Sequence, residues 1–341
     1  MLLGRVEIFL TLLSLLKTFL YRKQIILMSK DLYREICKIE DSIPVFSRDW
    51  WLDAACGDDW DVLLDEKNGK IHAAMPLYVP CRHIITMPHY TQTMGVWFAA
   101  GATDTKYSSL LEQRQAICKS FIEKLGCYKS FLQNFSHDFT DWLPFYWGKY
   151  LQTTRYTYIL HGIKDTEKIL SEMSQQTRRN LKKAEEQSVT VCRGVGVDEF
   201  LKIQSLTFER QKTRNTQSSA VLRRIIEAAR ERGQGDIFGG YDKEGNLHAT
   251  AFIVWQNSSA YYIAGGGDPS LRSSGAHTLV LLEAIKYASQ YTDVFDFEGS
   301  MIPGVERFFR EFGAVQTPYF MISRGKLSFL DRARMKMKSK K

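Results

Sequence analysis

Two β-hairpin signals constrain this chain more than anything else in it. One spans WDVLLDEKNGKIHAAMPLYVP, residues 60–80, and turns on Lys67-Asn68-Gly69. The other spans GDIFGGYDKEGNLHATAFIVW, residues 235–255, and turns on Glu244-Gly245-Asn246. Asparagine and glycine tolerate the positive φ of a tight hairpin turn, so each pair of flanking apolar runs reads as two antiparallel strands. A further strand, AYYIAGGG, follows the second hairpin after Asn257-Ser258-Ser259. Each half repeats the order helix, antiparallel strands, helix, strand. Strands joined by hairpins predict an α+β fold and argue against the repeated βα units of a doubly wound sheet.

The helices are marked by period and by caps. Residues 30–40 carry a short helical pattern. Ser47 is a candidate N-cap for a helix bearing Trp50, Trp51, Leu52 and Ala55 and stopped at Gly57. LLEQRQAICKSFIEKLG ends on Gly126. From Asp165 to Ser188 one helical region is expected, with Ile169, Leu170, Met173, Leu181 and Ala184 as its apolar stripe and Arg178, Arg179, Lys182 and Lys183 as a basic face. The 341 residues suffice for two ordinary domains. No Pro- or Gly-rich linker separates the halves, so they are expected to pack tightly, as residues 28–162 and 163–323 with a boundary near Gly162.

The net charge of +8 is not a property of the body. Residues 324–341 hold eight Lys or Arg against one Asp, residues 1–28 hold four against Glu7, and the rest of the chain sums to −2. A basic tail over 324–341 is either a solvated end or a contact for anionic lipid or nucleic acid. For residues 1–27 three readings stand: a start set too early, with Met28 beginning the protein; an interfacial membrane helix; or a signal sequence, which lacks a small-residue cleavage site. All three leave the segment outside the fold. The six cysteines form no CxxC pair and the seven histidines no HExxH cluster, so no metal site is expected, and isolated cysteines fit a cytoplasmic protein.

Two stretches carry candidate chemistry. In AGGGDPSLRSSGAHTLVLLE, residues 264–283, a strand ends in three glycines and turns into a helix. Backbone N–H groups of Gly265, Gly266, Gly267, Ser274, Gly275 and Ala276, with Arg272 beside them, can approach a phosphate or diphosphate at the helix N-terminus. An ordinary tight turn is the other reading. In FDFEGSMIPGVERFFREFGA, residues 295–314, a strand places Asp296 and Glu298 on one face and Phe295 and Phe297 on the other. Two same-side carboxylates in a partly apolar cleft raise the pKa of one, which suits it to deprotonate an attacking amine. The structural alternative has Asp296 bonding a backbone turn and Glu298 paired with Arg307 or Arg310. Tyr262, with Tyr261, is either a proton donor to a leaving group or a strand aromatic. The RFFREFG segment is expected to bury Phe308, Phe309 and Phe312 and to stop at Gly313.

RSSGAH, between a hairpin and a helix, resembles the acyl-CoA pyrophosphate loop of GNAT-fold N-acyltransferases, with His277 where the family has a small residue. RRNLKKAEEQSVTV at 178–191 is similar to the Arg-x-Asn-x-x-x-Ala helix of FemAB-like proteins, and FDFEGS…VERFFREFGA to their closing strand and helix. The resemblance covers roughly residues 160–320. It implies two tandem GNAT-like domains, each a mostly antiparallel mixed sheet flanked by helices. It further implies transfer of an acyl or aminoacyl group, from acyl-CoA or aminoacyl-tRNA, to an amine on a small molecule or a lipid-linked acceptor of the bacterial cell envelope. No permanently bound cofactor is implied. Glu298, Asp296 and Tyr262 would then be catalytic, the 265–276 loop would hold the donor, and Arg178 and Lys182 would meet substrate or tRNA phosphates. The localisation expected is cytoplasmic, at the inner face of the membrane if the basic tail meets lipid. A protein that keeps the GNAT pair but only binds a ligand or partner is the alternative.

Overall fold

The computed structural model describes residues 29–100, 105–210, 217–299 and 301–338; the expectations for residues 1–27 lie outside them. A helix over 29–39, α1, leads into α2 (Asp49–Cys56), which buries Trp50, Trp51 and Leu52 and ends on Gly57. Its N-cap is Arg48. Ser47 belongs instead to a buried 3-10 turn, and its carbonyl accepts from the Tyr33 hydroxyl. The first hairpin forms as expected, with β1 (Trp60–Lys67) and β2 (Lys70–Cys81) antiparallel across Asn68-Gly69. β3 (Ile84–Thr86) and β4 (Trp97–Phe98) pair with β2 and complete a four-stranded sheet.

The larger sheet is built from both halves of the chain. Its strands are β5 (Phe131–Asn134), β6 (Leu151–His161), β7 (Thr190–Arg193), β8 (Gly235–Tyr241), β9 (Leu247–Trp255), β10 (Ala260–Gly267), β11 (Val294–Asp296) and β12 (Val315–Arg324). Their spatial order is β5-β12-β6-β11-β10-β9-β8-β7. β6 therefore pairs with β11 and β12, and β12 with β5, so strands from both sides of Gly162 share one sheet. The pairs are antiparallel except β10 with β11, which run parallel for two rungs only, Ala260–Phe295 and Tyr261–Asp296.

β9 shows why this sheet is the core. All nine of its residues are buried. Phe252 and Val254 pack toward α7 (Val197–Arg210) and α8 (Ser219–Glu231), among Phe200, Leu222, Ile225 and Ile226. Ala249, Ala251, Ile253 and Trp255 face the other way, onto α6 (Gln175–Glu186) and α9 (Ala276–Ala288). A strand covered on both faces reads as an unbroken apolar run, which is what its sequence shows. A third cluster joins the smaller sheet to α3 (Tyr107–Leu125), α4 (Leu143–Trp147) and β5 through Phe121, Phe131, Phe135 and Phe145.

Two helical expectations change. The region 165–188 is α5 (Thr166–Glu172) and then α6, because Met173 is extended and the Ser174 hydroxyl accepts from the Thr177 N–H to start a new helix. A serine can end one helix by capping the next, which an apolar stripe alone does not reveal. The basic tail contains α11 (Phe329–Lys338), held to the body by a 2.6 Å ion pair between Asp331 and Lys129. Among the described residues no helix is long and apolar enough to cross a membrane. Replacing Phe252, fully buried in β9, by alanine is expected to destabilise the protein by about 3–5 kcal/mol. The same change at Ile39, which is 85% exposed, is expected to stay within about 0.5 kcal/mol, both read from denaturant midpoints at constant m.

Candidate active site

The site begins where β10 and β11 part. After Tyr261 and Asp296 the two parallel strands no longer pair; β10 continues through a register shift to Gly267, while β11 stops at Asp296. Strand alternation thus does not reach Glu298. Phe297 still donates its N–H to the Tyr158 carbonyl, and Glu298 then adopts φ +60°. The Asp296 carboxylate sets this kink by accepting the Glu298 backbone N–H at 2.7 Å, the local bond short acidic side chains form two residues on. Gly299 follows at φ +59°, where a Cβ would overlap the Tyr156 carbonyl oxygen of β6. A left-handed non-glycine residue costs on the order of 1–3 kcal/mol and persists only where its surroundings fix it.

Asp296 is buried and fully engaged. Oδ1 accepts from the Thr157 hydroxyl and from Gln92 Nε2 at 3.5 Å, and Gln92 also donates to Thr157 at 2.8 Å. Burial raises its pKa to about 6, against the lowering by Thr157 and the Glu298 N–H. Glu298 differs in every respect. It is partly accessible, its Oε1 is buried with no hydrogen-bond partner, and its pKa is pushed well above the carboxylate range by desolvation and then by the Asp296 charge. It is not paired to a following arginine: Arg307 bonds Glu311 at 2.8 Å and Arg310 bonds Glu306 at 2.9 Å.

Two cavities meet at this residue. One, about 750 Å³, lies between the glycine strand and α10 (Pro303–Arg310). Gly265, Gly266, Gly267, Arg272, Ser274, Gly275 and Ala276 line it, so the structure brings these expected loop residues together, with Tyr262 and Glu298. Gly275, at φ +76°, starts α9 with no side-chain cap. A Cβ there would overlap the carbonyl oxygen of Asn180 in α6, which is why the loop and the Arg-x-Asn helix fit each other. Burial pushes the Tyr262 phenol well up, so it stays protonated at neutral pH. Its hydroxyl lies 3.3 Å from His277 Nε2, and His277 stacks on Phe308. Phe309 and Phe312 are buried as expected, whereas Phe308 is half-buried at the cavity wall. Tyr261 points into the core against Phe46.

The second cavity, about 420 Å³, draws on the first half of the chain. His89, Gln92, Asn134 and Arg155 line it together with Tyr319, and Glu298 and Gly299 are common to both cavities. Its loop is tethered by Trp51 Nε1 to Thr91 at 3.0 Å and by Asn134 Nδ2 to the Gln92 carbonyl at 2.9 Å. Arg178 and Lys182 line neither cavity: Arg178 Nη1 donates to the carbonyls of Leu170, Ser171 and Met173 at the end of α5, and Lys182 sits on the surface near Glu186. Gln92, Asn134, Arg155, Thr157 and Asn180 were missed from sequence. Only Asn180 had a local signal, its place in the Arg-x-Asn-x-x-x-Ala run. Among the described residues no cluster of His, Cys, Asp or Glu suits a metal ion.

Residues 171–310 match the family model of the acetyltransferase (GNAT) domain. The fold extends that likeness over most of the chain. FemX superposes with a TM-score of 0.62 at 15% identity, covering 84% of this chain and 95% of that one. The C-terminal DUF2156 domain assigned to a lysylphosphatidylglycerol synthetase of Agrobacterium fabrum gives 0.55 at 12% identity, covering 91% and 94%. The L-PGS structure from Bacillus licheniformis gives 0.53 at 11%, covering 89% and 94%. No curated protein matches. Residues 171–310 thus match a GNAT acetyltransferase domain, and the chain as a whole has the fold of FemX.

The raised carboxyl pKa has a stability consequence with a definite sign. Between the unfolded value, about 4.3, and the higher native one, the native state binds more protons than the unfolded state, so stability falls as pH rises through that interval. Glu298→Gln removes this cost. The variant is expected to melt above the wild type at pH 7 and level with it near pH 4, as read by thermal unfolding across pH.

Proposed function

We propose that the protein transfers an acyl group from a CoA thioester in the larger cavity to an amine in the smaller one, by direct attack at Glu298. The observation that carries this reading is that Glu298 and Gly299 border both cavities, so a group held on either side meets the other there. In this reading residues 28–162 chiefly form the acceptor side and residues 163–323 the donor side.

The donor diphosphate lies on the 272–277 loop at the start of α9, where aligned backbone N–H groups and the helix dipole favour an anion, with Arg272 as mobile counter-charge. Among the described residues lining that cavity only Arg272 is a permanent cation, which favours a CoA thioester over the longer polyanion of an aminoacyl-tRNA. The Glu298 carboxylate takes a proton from the acceptor ammonium, and the free amine nitrogen attacks the thioester carbonyl. The C–N bond forms, the tetrahedral adduct loses its second nitrogen proton to solvent and collapses, and the C–S bond breaks. The leaving sulfur takes a proton from the Tyr262 hydroxyl, which is recovered from the acid form of Glu298 through solvent. Asp296 acts through Glu298: it holds the kink that aims Glu298 and keeps its basicity high. The fold shared with a lysylphosphatidylglycerol synthetase domain keeps a lipid-linked acceptor within this reading. The exposed Phe329 and Leu330 on α11, among its basic residues, give such an acceptor a membrane-surface approach at the inner face.

Thermal unfolding with CoA, acetyl-CoA and longer acyl-CoAs tests the donor. A ligand at about 100 times its Kd stabilises by about 2.7 kcal/mol, and the shift is expected to vanish in Arg272→Ala. No shift with any CoA would overturn the thioester and leave aminoacyl-tRNA as donor. With an active donor, Glu298→Gln is expected to lower kcat about 10²–10⁴-fold, and wild-type kcat/KM to rise with pH as the elevated Glu298 ionises.

A further inference from the structure

The acceptor cavity holds an unusual set of unsatisfied polar atoms. Buried polar atoms in folded proteins are nearly always hydrogen-bonded, and each exception calls for a reason. Among the described residues, Asn134 Oδ1, Arg155 Nε and Glu298 Oε1 are all buried without a partner, and all three residues line the same 420 Å³ space. They come from β5, β6 and the turn after β11, so no single loop has placed them there by accident of local geometry. Their chemistry is divided. Two are acceptors, one of them a carboxylate; the third belongs to a guanidinium, which only donates.

Arg155 has donor capacity that the fold leaves unused. It sits in β6 opposite Tyr319 of β12, half-buried; its side chain meets the Tyr319 hydroxyl and, through Nη1 at 4.0 Å, Met321 Sδ, while Nε has no partner among the described residues. No carboxylate lies within ion-pair distance of it among the described residues, whereas half-buried Arg34 pairs with Asp53 and Arg230 with Asp236. A guanidinium in a partly desolvated cavity is costly unless an anion or aligned acceptors meet it. Its planar donor fork matches a carboxylate or a phosphate.

We propose that the acceptor is an amine that also carries an anionic group, a carboxylate or a phosphate. Arg155 binds the anion while Asn134 Oδ1 and Glu298 receive the ammonium. The two ends of such a molecule satisfy all three orphaned atoms at once, which a neutral amine does not. Arg155 thereby becomes the residue that selects the acceptor and fixes its orientation, holding the nitrogen toward the junction of the two cavities. This proposal rests on the acyl-transfer reading of the site and names its substrate class.

Matched acceptors that differ only in the anion test it. The pairs are an α-amino acid with its amide and O-phosphoethanolamine with ethanolamine, assayed with the full chain by CoA release from a donor that gives a thermal shift. The anionic member of at least one pair is expected to show a KM lower by about 10–100-fold, the worth of a charge-assisted hydrogen bond. Preference within the first pair assigns a carboxylate, and within the second a phosphate. In Arg155→Gln that ratio is expected to collapse toward one, and Arg155→Lys to restore part of it, with circular dichroism and melting confirming the fold of both. Equal use of charged and neutral members by the wild type would overturn the proposal while leaving acyl transfer standing. If no amine is acylated, acyl transfer itself fails. Calorimetric titration of the same pairs then decides the anion separately: tighter binding of the charged member supports it, and equal binding overturns it.

Discussion

Everything at this site depends on the parting of β10 and β11. Two parallel rungs hold them side by side, and then nothing does. Beyond Tyr261 and Asp296 each strand's edge loses its neighbour, and backbone groups that a continuous sheet would satisfy are left facing a gap. The gap is stable because both strands have other partners: β10 is paired along its length with β9, and β11 lies against β6. A sheet that is sound on both outer sides can thus open in the middle. The cavity, the glycine strand that walls it, and the kink that carries Glu298 are consequences of that opening.

Two carboxylates two residues apart take opposite characters there. Asp296 faces inward and is met by three donors, so it remains an anion near neutrality despite its burial. Glu298 faces the cavities, has an unbonded oxygen, and feels the Asp296 charge. The first is a fixed charge that shapes the backbone; the second is a carboxyl whose proton affinity that charge raises. Environment, not residue type, separates the roles. The arrangement is also coupled to both halves of the molecule, because Gln92 and Thr157 reach Asp296 from the first and the glycine loop faces Glu298 from the second.

The strand exchange between the halves serves the same end. β6 and β12 lie next to each other and bring residues 151–161 and 315–324 into one surface, so that Arg155, Tyr319 and Glu298 line a single cavity although they are far apart in sequence. Two halves that shared no strands would have left the two cavities to a hinge. Sharing strands makes the junction part of the core.

The sequence by itself determined the elements and their class. Hairpins turned on Asn-Gly and Gly-Asn, the nine-residue apolar run of β9, and the glycine stops after α2 and α3 are local physics, and local physics is written in neighbouring residues. It also determined the glycine wall of the larger cavity, because glycines before a helix have a meaning wherever they fold, and it singled out Asp296 and Glu298. Tertiary structure decided what those acids do. The end of β11, the left-handed turn at Glu298 and the unequal hydrogen bonding of the two carboxyls follow from contacts with β6 and with the loop at Gln92, which no window of sequence contains. The same holds for Arg178, whose charge reads as a phosphate contact until α5 ends within its reach. The smaller cavity was invisible for that reason: Asn134 and Arg155 are unremarkable in their own segments, and only the packing of distant strands brings their polar atoms into one space with Glu298.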